Sequence, residues 1–286
     1  MATIPTAIAL LVNENAIDDL KVFLFTLQLW NSTLPTLYIY TTTDCIDTID
    51  AMEYNGTREY MACLDEYSNL SRRQMEGMPS QQGLSNLFHD FTIEKCSLME
   101  WALSLSNSGV LFCDADLCWL GPLPSIAPTI ALGLSPHEIR ESDEAKYGKY
   151  NAGLLWIRDI EIVHSWRKAS RVSAFFEQLA LDDVADQYPD FMIFGTHVNY
   201  GWWRMFQGRT SSDDCKAQWS IHRSSSQAHS GLLIKGSPVV CIHTHWKTTD
   251  HVTNMFNTWI VWKLTVLKGQ PKVGKLLRHL NLLTNA

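Results

Sequence analysis

A chain of 286 residues, 46% hydrophobic and 11% aromatic, holds enough apolar material for a sizeable core, and its length suits one large α/β domain with an appendage. Its formal net charge of −7 gives no general support for nucleic-acid binding, and no apolar run approaches the length of a membrane span. Seven scattered cysteines without a C-x-x-C pair favour reduced thiols over disulfides or a zinc site, so we expect a cytoplasmic protein.

The opening "MATIPTAIALLVNEN" lacks a basic n-region and has only a short apolar part, which reads as a first strand at 6–12 and not as a signal peptide. A helical pattern runs on through Trp30, and "PTLYIYTTT" reads as a second strand bounded by Pro35 and polar threonines, making a β-α-β opening. Residues 44–88, with Gly56, Gly77, Pro79 and Gly83, are polar and irregular and read as a long surface excursion. The sequons at Asn31, Asn55 and Asn69 would matter only in a secreted protein and are taken as chance. In "HDFTIEKCSLMEWALSL" Asp90 is the expected N-cap, and Phe91, Leu98, Met99 and Ala102 recur at helical spacing. Lys95 falls on that apolar stripe, where a lysine either carries its charge to the edge or faces an anion near the strand that follows.

That strand ends in "VLFCDADLCWLG". Side chains alternate along a strand, so Asp114 and Asp116 at its end point the same way, and two repelling carboxylates are tolerated when a hard cation such as Mg2+ or Mn2+ takes their oxygens. Further strands are expected at 130–134, 151–157 and 239–243, with helices near 160–180 and 183–194. Strands alternating with helices argue for an α/β fold. In "SPHEIR" His137 either contacts a ligand or caps a turn. Asn151 opens a strand followed by Ala152-Gly153, where a ligand can approach the backbone closely. Asp186-Gln187 lies in a helical pattern and reads equally as an exposed acidic turn. "VVCIHTHWK" puts His243 and His245 on one face if extended, a disposition that suits a metal.

Rival phosphate motifs are weak. No G-x-G occurs, and "GQPKVGKL" has Leu276 where a P-loop needs Ser or Thr. A haloacid-dehalogenase-like phosphatase would want Thr or Val where Cys118 stands, and a later Gly-Asp that the chain lacks. A sugar-nucleotide pyrophosphorylase would want a glycine-rich basic loop where "ALLVNEN" stands, whereas a non-catalytic sugar-nucleotide-binding module would need no cation.

Taken in order, Lys95, "VLFCDADLCWLGPLP", "SPHEIRESDEAKYGKYNAGLLWIRD", "ADQ" and "VVCIHTHWK" resemble the nucleotide-sugar glycosyltransferases of the GT-A fold. The likeness is nearest the retaining group that includes glycogenin and bacterial lipopolysaccharide galactosyltransferases, and it extends over roughly residues 6–250. It implies a Rossmann-like mixed sheet flanked by helices, in a catalytic domain at 1–250 with a helical, basic extension at 251–286. It also implies Mn2+ or Mg2+ held by Asp114, Asp116 and His243 or His245, and a nucleoside diphosphate sugar donor, UDP-sugar favoured, with a carbohydrate or other hydroxyl acceptor. Asn151, Asp186 and Gln187 would contact the transferred sugar, and Lys95, Asp114, His137, Gly153 and Lys247 would help bind donor or acceptor. The family's glycine and Lys-Pro-Trp after the late histidine are replaced by "HWKTTD". Beyond Asp250 the chain is basic without an acidic residue, and Val273, Leu276, Leu277, Leu280 and Leu283 form one apolar face. That face is read either as a peripheral membrane contact or as packing on the catalytic domain.

Overall fold

The computed structural model describes residues 2–223 and 228–284, with side chains through residue 280. In chain order the strands are β1 Ala7–Val12, β2 Thr36–Thr41, β3 Arg58–Ala62, β4 Val110–Cys113, β5 Leu117–Trp119, β6 Leu132–Pro136, β7 Tyr150–Ile157, β8 Met192–Ile193, β9 Tyr200–Gly201, β10 Trp219–Ile221, β11 Leu232–Ile234, β12 Ser237–Pro238 and β13 Cys241–His243. The α-helices are α1 Ile17–Trp30, α2 Ile46–Asp50, α3 Arg72–Glu76, α4 Leu87–Leu105, α5 Glu141–Tyr147, α6 Ile160–Ser170, α7 Phe176–Gln187, α8 Trp202–Phe206, α9 Ser212–Ala217, α10 His251–Thr265 and α11 Pro271–Thr284.

β1 is apolar and buried at every position because it lies inside a sheet covered on both faces. Its alternate residues divide between two cores. Ile8, Leu10 and Val12 face the cluster built from α1, α10 and α11, while Ala7, Ala9 and Leu11 face the cluster built from α4, α6 and α7. The main sheet has seven strands in the order β3-β2-β1-β4-β7-β6-β8. β3, β2, β1 and β4 run parallel, β7 is antiparallel to both of its neighbours, and β8 is parallel to β6. A smaller sheet, β5-β13-β9, branches off just after β4, and β10-β11-β12 form an antiparallel sheet of their own. The fold is therefore α/β with a mixed sheet flanked by helices, as expected.

Several local expectations need correction. The 44–88 excursion carries β3, which extends the main sheet beside β2, and the helices α2 and α3. β3 escapes a sequence reading because an edge strand with mostly exposed side chains shows no apolar alternation. Asp90 does not cap α4. Asn86 does, accepting from the His89 amide at 3.0 Å, whereas Asp90 is fully buried and accepts from the Ser80 hydroxyl at 2.6 Å and the Gln81 amide at 2.6 Å. The carboxylate thus ties the end of the long excursion to α4. Downstream, the two expected helices become α6 and α7. α7 closes at Gln187, two residues before Pro189, where a helical conformation of the preceding residue is disfavoured.

The apolar stripe of α11 is not open to a membrane. Val273, Leu276, Leu277 and Leu280 are buried in the α1-side core, His279 stacks on Phe25 at 4.0 Å, and the Lys272 ammonium sits 5.2 Å from the centre of the Trp30 ring. Leu283 lies outside the described side chains. Among the described residues no helix is long and apolar enough to cross a membrane.

Candidate functional site

The chain changes sheets between its two clustered carboxylates. The Asp114 amide still donates to the Gly153 carbonyl of β7 at 2.8 Å, which ties Asp114 to the main sheet. Two residues later the Asp116 carbonyl accepts from the Thr244 amide at 3.1 Å, so Asp116 already belongs to the smaller sheet. Antiparallel pairing of β5 with β13 sets Leu117 opposite His243 and brings that histidine back over both carboxylates. Its Nε2 lies 2.9 Å from Asp116 Oδ1 and 3.8 Å from Asp114 Oδ2. One ligand atom from each of the three residues falls within 4.8 Å of the others.

Three observations test whether this cluster fits a divalent cation. Its donors are two carboxylates and one imidazole, a set that suits a divalent cation. A Cβ at Gly153 would stand 2.6 Å from Asp114 Oδ2 and run into the His243 ring, so the three side chains converge only because residue 153 has none. The imidazole is also oriented from behind. His243 Nδ1 donates to Asn199 Oδ1 at 3.3 Å, which leaves Nε2 facing the carboxylates as a metal-ligating histidine requires. The network continues in one direction. Asn199 Nδ2 donates to Asn151 Oδ1 at 3.0 Å, Asn151 Nδ2 to Gln178 Oε1 at 3.2 Å, and Gln178 Nε2 to the Tyr147 carbonyl at 2.8 Å. Asn151 Oδ1 accepts from the Gly153 amide as well, at 3.0 Å.

Charge is balanced inside the cluster. Lys95 does not reach the edge of α4. It is buried between Asp114 Oδ1 at 3.1 Å and Glu177 Oε1 at 2.9 Å. Burial works against its charge, but these two carboxylates outweigh burial and raise the ammonium above the usual lysine range. Burial pushes the Asp114 carboxyl up against the pull of Lys95. Burial also opposes ionisation of Asp116, yet His243 and His245 beside it hold that carboxyl well below its ordinary value.

His245 takes a different place from His243. β13 stops at His243, so the two histidines do not continue one strand. The His245 ring instead bridges Asp116 Oδ2 at 3.6 Å and Asp19 Oδ2 at 2.7 Å, the latter in the first turn of α1. The Asp116 charge and the Asp19 hydrogen bond raise its pKa to about 9. Lys247 is exposed and pairs with Asp18 at 3.1 Å. His137 is buried edge-on to Trp203, which in turn lies edge-on to His243 at 4.9 Å between ring centres. Burial lowers its pKa to about 4, and its Nδ1 lies 3.1 Å from the Gly148 carbonyl.

The structure brings Lys95, Asp114, Asp116, Asn151, Gly153 and His243 together, with His245 and His137 on the flanks. It does not bring Asp186 and Gln187 there. Both are exposed in the last turn of α7, about 13 Å along the helix from Glu177 and Gln178 by helical rise. Sequence spacing cannot say which end of a helix meets the strand ends. Glu177, Gln178, Asn199, Asp19 and Trp203 were all missed. The one available signal was the acid-amide dipeptide Glu177-Gln178, which opens the same helix that Asp186-Gln187 closes.

No family model and no curated protein sequence matches this chain. Among solved structures, it is similar to the apo-form glycosyltransferase GlyE of Streptococcus pneumoniae TIGR4, at 14% identity over 95% of this chain and 64% of that one, with a TM-score of 0.54. The chain thus spans less than two thirds of GlyE. It also matches the galactosyltransferase LgtC, solved in complex with donor and acceptor sugar analogues, at 14% identity over 92% of this chain and 95% of that one. The TM-score there is 0.47, too loose to support an argument. The fold of this chain is that of a GT-A type glycosyltransferase.

Proposed function

We propose that the chain is a glycosyltransferase that moves a hexose from a nucleoside diphosphate sugar, UDP-sugar favoured, to a hydroxyl of a carbohydrate or similar acceptor. The observation that carries this reading is the convergence of Asp114, Asp116 and His243 at the strand ends of a fold shared with the glycosyltransferase GlyE. Those three residues would hold Mn2+ or Mg2+, which when bound supplies positive charge to offset the leaving diphosphate. Lys95 acts through Asp114: its buried ammonium keeps the carboxylate ionised and correctly placed. Asn199 fixes the His243 tautomer, and Gly153 leaves the room that the cluster needs.

Transfer breaks the bond from the anomeric carbon to the diphosphate and forms one to the acceptor oxygen. We assign it to retention. The acceptor then attacks from the face the diphosphate leaves, and its proton passes to a departing phosphate oxygen, so no protein base is required. Asn151 and Gln178 are the amides beside the cluster, and an amide can contact a sugar cation without acting as a base. Asp186 and Gln187 take no part in this scheme. His137 and Lys247 are assigned to the acceptor and donor margins. The seven free cysteines, six of them buried, support a reducing compartment such as the cytoplasm.

The test is release of nucleoside diphosphate from a panel of nucleotide hexoses, with Mn2+ and with a chelator, followed by NMR of the first-formed glycoside. Metal-dependent release and a retained anomer are expected. A panel with no release, and with no nucleotide sugar raising the melting midpoint, would remove the reading.

A further inference from the structure

Four aromatic side chains form a row that starts beside the site. Tyr147 ends α5, Phe175 caps α7 and Phe176 opens it, and Phe88 lies in the first turn of α4. Neighbouring ring centres along the row are 4.8, 4.9 and 5.0 Å apart. All four residues are part-exposed, and Tyr147, Phe175 and Phe176 belong to neither core. A ring in a core is explained by its burial, whereas linked rings outside both cores are not.

The backbone is bent to assemble them. Phe176 has a φ of +46°, a left-handed conformation that a bulky residue adopts only under strain. Successive side chains diverge along a helix or a strand, but this turn lays the Phe175 and Phe176 rings against each other. Gly148, at φ +93°, lets the end of α5 close on α7, since a Cβ there would stand 3.1 Å from the Leu179 Cα and 3.2 Å from the Gln178 carbonyl oxygen. The row thereby joins the amide network of the metal cluster. Gln178, two residues after Phe176, donates to the Tyr147 carbonyl at 2.8 Å and accepts from Asn151.

What borders the row identifies its occupant. The segment 77–88 leading into Phe88 contains no charged residue, and Gln81, Gln82 and Ser85 are exposed on it. The buried Asp90 carboxylate holds this segment, accepting from the Ser80 hydroxyl at 2.6 Å and from the Gln81 and Gln82 backbone amides at 2.6 and 3.3 Å. His89 Nε2 donates to the Ser170 carbonyl at 2.9 Å, which leaves Nδ1 to accept from the Ser85 hydroxyl at 3.1 Å. That imidazole is edge-on to Phe176 at 5.6 Å, so the segment abuts the row. The Arg72 guanidinium carbon lies 4.6 Å from the centre of the Phe88 ring, and the Lys146 ammonium lies 4.7 Å from that of Tyr147. Aromatic faces among neutral amides, hydroxyls and cationic donors match a pyranose, which has an apolar C–H face and a rim of hydroxyls.

We propose that Tyr147, Phe175, Phe176 and Phe88 form a stacking platform for a carbohydrate chain of more than one sugar ring, which carries the acceptor hydroxyl to the transfer site. A six-membered aromatic ring and a pyranose are similar in size, so a row of four receives more than one sugar. The acceptor is thus a glycan chain, held by its distal rings while its terminal hydroxyl meets the cluster. Naming that chain the acceptor rests on the glycosyltransferase reading; stacking of sugar on the row does not.

Saturation-transfer NMR and isothermal titration of the full chain, without metal or nucleotide sugar, test this with maltohexaose, cellohexaose, chitohexaose and glucose. At least one hexasaccharide is expected to bind about tenfold or more tighter than glucose, with saturation concentrated on ring C–H protons. Phe175→Ala is expected to weaken that binding by about tenfold, and Phe175→Leu to do the same, since leucine keeps apolar volume and loses the flat face. Circular dichroism and thermal midpoint should hold in both, because the ring is part-exposed and outside either core. In transfer assays Phe175→Leu should raise KM for the long acceptor by a larger factor than for a single sugar. No binding of any hexasaccharide, or unchanged binding by both variants, overturns the proposal. So does a dimer in light scattering that Phe175→Ala converts to monomer, since the row would then be a self-interface. Metal-dependent release of nucleoside diphosphate reads the transfer reaction separately, so either conclusion can fail while the other stands.

Discussion

Helix α7 carries an acid-amide pair at each end, Glu177-Gln178 in the first turn and Asp186-Gln187 in the last. Glu177 is buried against Lys95 at 2.9 Å, and Gln178 accepts from Asn151 at 3.2 Å. Asp186 and Gln187 face solvent beyond the reach of that network. The two pairs have nearly the same chemistry, so what separates them is placement. The first turn of α7 lies beside the ends of β4 and β7, where Lys95, buried from α4, demands a carboxylate partner. The last turn meets no such demand and stays solvated. A sequence motif therefore locates chemistry only to within one helix, and the fold decides which turn is used.

Three groups of substitutions sharpen this contrast. The largest effect on turnover is expected from Asp116→Asn, which takes a ligand from the centre both ends of α7 are measured against. Metal-dependent transfer should fall on the order of 10²- to 10³-fold with the fold preserved. Mn2+ should raise the melting midpoint of the wild-type chain and leave the variant unmoved. Turnover within a few-fold of wild type at saturating Mn2+ would dismiss Asp116 as a ligand.

Next comes Lys95→Ala, whose main consequence is on stability. Removing the cation leaves Glu177 buried without a partner and should cost about 3–5 kcal/mol in denaturant unfolding. Pairing Lys95→Met with Glu177→Gln should recover most of that loss, because the orphaned charge is then gone. If Lys95→Ala is as stable as wild type, the first turn of α7 is not held by this ion pair.

The smallest effects distinguish the two ends directly. Gln178→Ala should lower turnover by about tenfold to a hundredfold, since it removes an amide from the network behind Asn151. Gln187→Ala and Asp186→Asn should each stay within a few-fold. A reversal of that order, with circular dichroism unchanged, would return the catalytic amide to the far end of the helix.

Much of this was legible beforehand where the signal is local. The run Val110–Cys113 followed by two aspartates could be read as a buried strand ending in a carboxylate pair, although the two carboxylates meet through the turn from β4 to β5 and not through alternation along one strand. The apolar runs of β1, β2 and β7 and the stripe of α4 marked strands alternating with helices, hence an α/β fold. Asn86, Asn199 and Asp19 were silent, since each acts through a hydrogen bond to a residue chosen by the fold or by a neighbouring turn.

By itself, then, the sequence determined the α/β class, the central strands and the acidic pair, which follow from period, polarity and spacing, whereas His243 or His245 as the pair's partner was implied by the family resemblance. Only the tertiary structure shows which of those two histidines clusters with both carboxylates. β13 ends at His243, which its register with β5 sets over Asp114 and Asp116, while the chain turns His245 toward Asp19. It alone decided that Lys95 is buried in an ion-pair network, that Glu177 and not Asp186 faces it, and that α11 spends its apolar face on the core while α10 leaves one exposed. The physical reason is common to all of these. Hydrophobic period tells which face of an element is apolar, but whether that face, or a charge upon it, finds a partner depends on elements far away in the chain.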